Sequence, residues 1–171
     1  MSFMTILLIL AWTLSLSLTI FGTFLTWKKL KARPRTLAEK SAIVDSAPVS
    51  ILKPLKGVDE GLRENLRSFL AIEYPRFEII FCLADAQDPA LPLVRELIAE
   101  FPAVDAKIFI GESRVGPNPK VNNMLGGYQA AAHDMMLISD SNVRVRPDYL
   151  ERMVPLAMDP RVGLVTALVA G

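Results

Sequence analysis

Residues 4–27, MTILLILAWTLSLSLTIFGTFLTW, make an unbroken stretch of 24 residues with no charged side chain. As a helix rising 1.5 Å per residue it would reach about 36 Å, more than the roughly 30 Å hydrocarbon core of a bilayer. The Ser and Thr scattered through it fit a membrane helix, because their hydroxyls can bond back to the helix backbone. Trp27 closes the run where an amphipathic ring meets the interface. A cleaved signal peptide would need basic residues ahead of a shorter apolar core and a small-x-small cleavage site. Here the basic residues come afterwards, as Lys28, Lys29, Lys31, Arg33 and Arg35, so the run reads as a retained anchor. The positive-inside tendency puts this end in the cytoplasm. The same residues can rest on anionic headgroups, at about 1 kcal/mol each, or act only as a stop-transfer signal.

Residues 28–48 read as a basic juxtamembrane segment and linker, and the pattern changes at Val49. VSIL is a short strand that Pro54 and Gly57 are expected to stop. DEGLRENLRSFLAI spaces Leu62, Leu66, Phe69 and Leu70 on one helical face. FEIIFCLAD is a nearly continuous apolar strand, and PALPLVRELIAEF a helix with Pro89 near its start. VDAKIFI gives a third strand, and GESRVGPNP a loop rich in turn formers. KVNNMLGGYQAAAHD is a helix in which Gly126 and Gly127 allow close packing or bending. MMLISD, PDYLERMVPLAM and VGLVTALVA then read as strand, helix and fifth strand. Strands apolar on both faces and alternating with helices imply an α/β domain over 49–171, with a mostly parallel sheet flanked by helices.

The net charge of +1 gives no broad field for nucleic acid. Cys82 is the sole cysteine, which leaves no intrachain disulfide and no cysteine-based metal site; it lies in an apolar run and reads as core. The sole histidine, His133, reads as a residue at the end of a helix. The G-x-x-x-x-G-K-[ST] loop, the G-x-G-x-x-G fingerprint and the G-x-S-x-G elbow are all missing, which disfavours a P-loop NTPase, a dehydrogenase and an α/β-hydrolase.

Parallel sheets bind ligands beyond the carboxyl ends of their strands. Those ends carry Lys53, Pro54 and Lys56, then Asp85, Gln87 and Asp88, then the GESRVGPNPKVNN loop, and last Asp140, Ser141 and Asn142. Carboxylates, lysines and amides together suit a phosphorylated ligand and a hard cation. On an extended backbone Asp140 and Asn142 would face one side, as a pair of oxygen ligands for Mg²⁺ or Mn²⁺. Such triplets also occur at ordinary turns, and Asp88 before Pro89 suits a helix cap.

Three segments taken together, VSILKPLKGVDEGLRENLRSFLAIEYPRFEIIFCLADAQDPA, VGPNPKVNNM and ISDSNVRVRPDYL, closely resemble the ceramide glucosyltransferase family. This is a membrane-bound branch of the inverting GT-A glycosyltransferases that includes bacterial lipid and hopanoid sugar transferases. The resemblance implies a GT-A, Rossmann-like sheet behind one transmembrane helix, a UDP-sugar donor and a membrane lipid acceptor. It implies that Asp85 contacts the nucleotide base, with Asp88 in the same acidic loop. Asp140 would bring Mg²⁺ or Mn²⁺ to the diphosphate with Asn142 beside it. Lys120, Asn118 and Asn122 would hold the sugar nucleotide, near Pro54 and Lys56 of the KPLKG segment. The implied setting is a bacterial inner membrane or a Golgi- or ER-type membrane, with the catalytic part in the cytoplasm.

The family's third aspartate, its general base, and its Q/R-x-x-R-W motif are expected beyond Gly171, so the domain reads as incomplete and inactive alone. No residue here qualifies as that base, although inverting transfer needs one. Two other readings stay open: a processive polysaccharide synthase, and a non-catalytic membrane-anchored nucleotide-binding module.

Overall fold

The structure is a computed structural model that describes residues 2–31 and 47–167. Arg33 and Arg35, most of the expected linker, residues 168–170 of the expected fifth strand and Gly171 lie outside the described residues. The chain divides into two compact units, Met1–Ser41 and Ala42–Gly171.

The first unit holds helix α1, Phe3–Lys31. Residues 3–28 are long and apolar enough to cross a membrane, and none of that span is buried within the chain. The hydroxyls turn inward to the helix backbone: Ser17 donates to the Thr13 carbonyl at 2.8 Å, and Thr23 and Thr26 to the carbonyls four residues earlier at 2.9 Å. No polar side chain of that set needs water.

The second unit alternates strands and helices: β1 (Val49–Leu55), α2 (Leu62–Leu70), β2 (Phe77–Leu83), α3 (Ala90–Glu100), β3 (Asp105–Ile110), α4 (Pro119–Gln129), β4 (Met135–Ile138) and α5 (Tyr149–Ala157). The strands pair in the order β3-β2-β1-β4, all parallel. Leu62, Leu66, Phe69 and Leu70 are all buried, as their spacing requires. One face of the sheet presents Val49, Ile51, Leu55, Ile79, Phe81 and Leu83 to a core shared with α2, α3 and α5. The other face presents Leu52, Ile80 and Cys82 to a thinner layer.

Pro54 does not stop β1, which continues to Leu55. The Leu52 carbonyl accepts from Ser139 on the β4 side, at 3.1 Å. Backbone groups alternate sides along a strand, so Pro54 also faces the β4 side, where its N–H would have pointed. β4 has ended by then, its last pair being Leu52 with Ile138. The missing donor therefore breaks no ladder, which is the edge position that proline tolerates. The described part of the expected fifth strand, residues 162–167, is not a strand. Val162, Leu164 and Val165 instead line an apolar cleft of about 650 Å³ with Met135, Leu137 and Val154. Most of this run is exposed, Leu164 at 81%, so among the described residues its apolar character brings neither pairing nor burial.

α4 ends at Gln129, so His133 lies in the turn beyond the helix, with its backbone N–H on the Ser50 hydroxyl at 3.1 Å. That turn is clamped by buried Glu78, which accepts from Ser50 at 2.5 Å, Ala132 N–H at 2.6 Å and Lys107 at 2.7 Å. Burial alone would raise the Glu78 carboxyl, but these bonds outweigh it and hold it below the usual range.

The two glycines of α4 set how closely that helix meets the sheet. A Cβ on Gly126 would run into the Phe109 ring, and one on Gly127 would overlap the Cys82 sulfur and lie 3.3 Å from Ile80. Phe109 is only half-buried and can swing, whereas Cys82 is fully buried. Gly127→Ala is therefore expected to destabilise the fold by about 1–3 kcal/mol through overpacking. Adding Cys82→Ala should recover most of that loss in thermal unfolding of the detergent-solubilised protein. A Gly127→Ala variant as stable as the parent would show that no such contact limits the helix.

Candidate functional site

The strand order sets where a ligand goes. From β1 the chain moves outward through β2 and β3, then returns past β1 to lay down β4. The crossovers on the two sides of the β1/β4 boundary run in opposite directions, and open α/β sheets take their ligands in the crevice at the carboxyl ends of such a boundary. β1 overhangs β4 by the three residues Lys53, Pro54 and Leu55. Asp140 follows β4 at that step, and Asp85 follows β2. One strand separates the two ends, so the carboxylate-bearing loops begin about 10 Å apart at ordinary strand spacing.

Asp140 is exposed and forms an ion pair with Lys120 from the first turn of α4. Asn118 and Asn122 prepare that turn. Asn118 caps α4, its side chain accepting from Lys120 N–H at 3.0 Å and Val121 N–H at 3.4 Å. Asn122 is buried and binds the preceding loop: Oδ1 accepts from Val115 and Gly116, at 3.1 and 3.2 Å, and Nδ2 donates to the Gly116 carbonyl at 3.0 Å. Both amides thus shape the loop that delivers Lys120.

Asp85 is exposed at the end of β2, its Oδ1 accepting Gln87 N–H at 2.8 Å. Asp88 is committed to structure. Its carboxylate accepts Gly57 N–H at 3.0 and 3.1 Å and Ala90 N–H at 2.8 Å, joining the loop after β1 to the start of α3. Lys56 is exposed beside that loop, and Pro54 is buried in β1. Asn142 is exposed, but the backbone from Asp140 is a turn, Val143 N–H donating to the Asp140 carbonyl at 3.3 Å. The extended geometry that would set Asp140 and Asn142 side by side is therefore not present.

Two residues that the sequence placed near the strand ends, without assigning them a role, are built into the site. Asn123 is buried and donates from Nδ2 to the Leu55 carbonyl at 3.2 Å and the Cys82 carbonyl at 3.0 Å, joining the ends of β1 and β2. Its Oδ1 is the buried side-chain oxygen left without a partner among the described residues. Lys53 is fully buried, and burial pulls its ammonium down to about 7 against the opposing pull of the Asp140 carboxylate. A lysine inside a parallel strand was the signal available in the sequence.

Among the described residues no three Asp, Glu, His or Cys side chains gather as a metal-ligating group. Mg²⁺ and Mn²⁺ nevertheless need only one or two protein carboxylates when phosphates complete the shell. Asp140 already holds a cation, the Lys120 ammonium, in an exposed position. The site therefore fits a divalent cation that arrives with a diphosphate, and does not fit one held by protein alone.

The glycosyl transferase family 21 model matches residues 10–171. The chain belongs to this family. It is 40% identical over 119 residues to ceramide glucosyltransferase 3 of Caenorhabditis elegans, covering 69% of this chain and 26% of that one. It is 44% identical over 110 residues to ceramide glucosyltransferase of Komagataella phaffii, covering 62% and 22%. The family 21 chain thus spans about a quarter of the length of these curated relatives. The mannosyltransferase PcManGT from Pyrobaculum calidifontis, solved with GDP-Man and Mn²⁺, shares the fold at a TM-score of 0.59 and 20% identity, over 87% of this chain and 44% of that one. S. aureus TarS 1-349 superposes at 0.50 with 20% identity, over 61% and 30%.

Proposed function

We propose that this family 21 chain is the donor-binding part of a membrane glycosyltransferase that moves a sugar from a UDP-sugar to a lipid hydroxyl, with inversion. The observation that carries this reading is the Lys120–Asp140 pair at the β1/β4 crevice, where a cation and an anion of the protein stand ready to be exchanged for a diphosphate and its metal. PcManGT, which has the same fold, was solved with a nucleotide sugar and Mn²⁺. In this reading Asp140 holds Mg²⁺ or Mn²⁺ without Asn142, which the turn sets apart from it. Bound there, the ion would act as a Lewis acid that offsets the charge of the leaving diphosphate. Lys120 then turns from Asp140 to the phosphates, on the loop that Asn118 and Asn122 shape, while Asp85 meets the base. Lys56 and Pro54 border the same crevice, and Asp88 contributes through the Gly57 loop. The ceramide glucosyltransferase relatives support ceramide as acceptor; hopanoids and diacylglycerol-type lipids are the other acceptors of the same class.

Residues 28–171 would lie in the cytoplasm, as a basic segment and linker to residue 48 and the sugar-nucleotide part from 49 onward. The test uses the full-length protein in membrane vesicles, supplied with labelled UDP-hexoses and ceramide. The expected product is a β-linked glycolipid whose formation stops with EDTA and returns with Mn²⁺. A labelled polymer in place of a glycolipid would favour the polysaccharide synthase reading, and UDP-sugar binding with no transfer would favour the binding module.

A further inference from the structure

Lys53 poses a problem that packing alone does not solve. It stands in a strand between Leu52 and Pro54, is fully buried, and shares a sheet face with Ile51 and Leu55. An apolar side chain would fill that position without the penalty of desolvating an amine. Its Nζ instead lies 3.8 Å from the centre of the Phe69 ring and donates to two oxygens of the chain after β4, the Asp140 carbonyl at 2.5 Å and the Ser139 hydroxyl at 3.3 Å. Two side chains of α2 hold the same stretch. Asn65 Nδ2 donates to the Ser141 carbonyl at 3.2 Å, and Ser68 Oγ accepts Val145 N–H at 3.1 Å. The loop that carries Asp140 is therefore secured by its backbone, from beneath, while its carboxylate stays exposed.

We propose that Lys53 is a positioning residue: through the Asp140 carbonyl and the Ser139 hydroxyl it fixes the backbone from which the Asp140 carboxylate is presented to a divalent cation and diphosphate. The inference rests on the donor-site reading given above. Lys53 itself touches neither ligand. An amine in either protonation state has the two N–H groups these bonds require, so the anchor does not depend on charge. The step between β1 and β4 explains why the residue must be long. Lys53 lies one position past the last β1–β4 pair, where the strands no longer bond directly. Its side chain spans the gap that the ladder leaves.

The test compares Lys53→Met with the parent, as full-length protein in detergent. Methionine keeps a straight stem against Phe69 and removes both donors. Amide exchange at residues 139–143 should become faster. Half-saturating Mn²⁺ for UDP-sugar binding should rise about 10- to 100-fold, the usual consequence of losing a group that orients a metal ligand. Binding of UDP in EDTA should be unchanged, and Lys53→Arg, which retains N–H donors, should recover part of the Mn²⁺ response. A merely structural role would weaken binding with and without metal together, and that result overturns the proposal; so does Mn²⁺ half-saturation and exchange at parental values. If Lys53→Met does not fold, Ser139→Ala removes one of the two acceptors and should shift Mn²⁺ half-saturation in the same direction by less, with no shift counting against the proposal. A parent protein that shows no Mn²⁺-dependent donor binding overturns the donor-site reading itself, separately from the exchange result.

Discussion

Asp140→Asn is expected to reduce sugar transfer by the full-length enzyme about 10²- to 10⁴-fold, which is roughly 3–5.5 kcal/mol in the barrier at 1.36 kcal/mol per decade. The substitution keeps the size of the side chain and its capacity for hydrogen bonds. It removes the negative charge that now holds Lys120 and that a hard cation would need. The Asp140 carbonyl, which Lys53 and Val143 bind, is untouched, so the fold should survive. Asp85→Asn should behave differently. In the proposed arrangement it faces the base, so donor affinity should fall while turnover at saturating donor stays closer to the parent. Metal-dependent transfer in membranes, with expression matched, separates the two. If Asp140 were only a turn residue, asparagine would replace it almost silently, and near-parental activity would end the metal-site reading.

Lys120→Met should divide two affinities that ordinarily move together. In the free protein Lys120 neutralises Asp140, so removing it should tighten Mn²⁺ binding by up to about fivefold, the most that an exposed ion pair of 0.2–1 kcal/mol allows. UDP-sugar affinity should fall about 10- to 100-fold, because a charge-assisted bond to phosphate contributes roughly 1.5–3 kcal/mol. Mn²⁺ titration by electron paramagnetic resonance and donor titration by calorimetry read the two separately. Weaker binding of both ligands, or undiminished donor affinity, would show that Lys120 is not the group exchanged when the donor arrives.

Much of this architecture is legible in the sequence because apolar spacing is a local signal. Leu62, Leu66, Phe69 and Leu70 declare a buried helix face without any knowledge of the partner strand. The run from Phe77 to Leu83 likewise declares a strand covered on both sides. Asp85, Lys120 and Asp140 are legible as strand-end and loop residues once a parallel sheet is inferred. What the sequence hides is whatever depends on distant pairing. Pro54 looks like a strand terminator because its neighbour's early end cannot be seen from VSILKPL. Lys53 looks like a solvated residue at a strand end, since the carbonyl oxygen that accepts its hydrogen bond lies 87 residues further along. Asn122 and Asn123 are adjacent and identical in kind, yet one shapes a loop and the other joins two strands; helical rotation separates them, not composition. The Asp140–Asn142 pairing misleads for the same reason, since a period-two argument requires a strand that has already ended.

The contact between α4 and the sheet has a mechanical side. Gly127 rests against Cys82 with no room for a methyl group, whereas Lys120 projects from the other end of the same helix. Seven residues of helix separate them, a rigid arm of about 10 Å. Cys82 thus acts as a fulcrum: a single carbon added at the glycine end would tilt the arm and displace its lysine tip relative to Asp140. Residues that never approach a nucleotide could in this way retune which donor the crevice accepts, and a search for altered sugar preference could begin at the Gly127–Cys82 pivot as well as among the polar side chains.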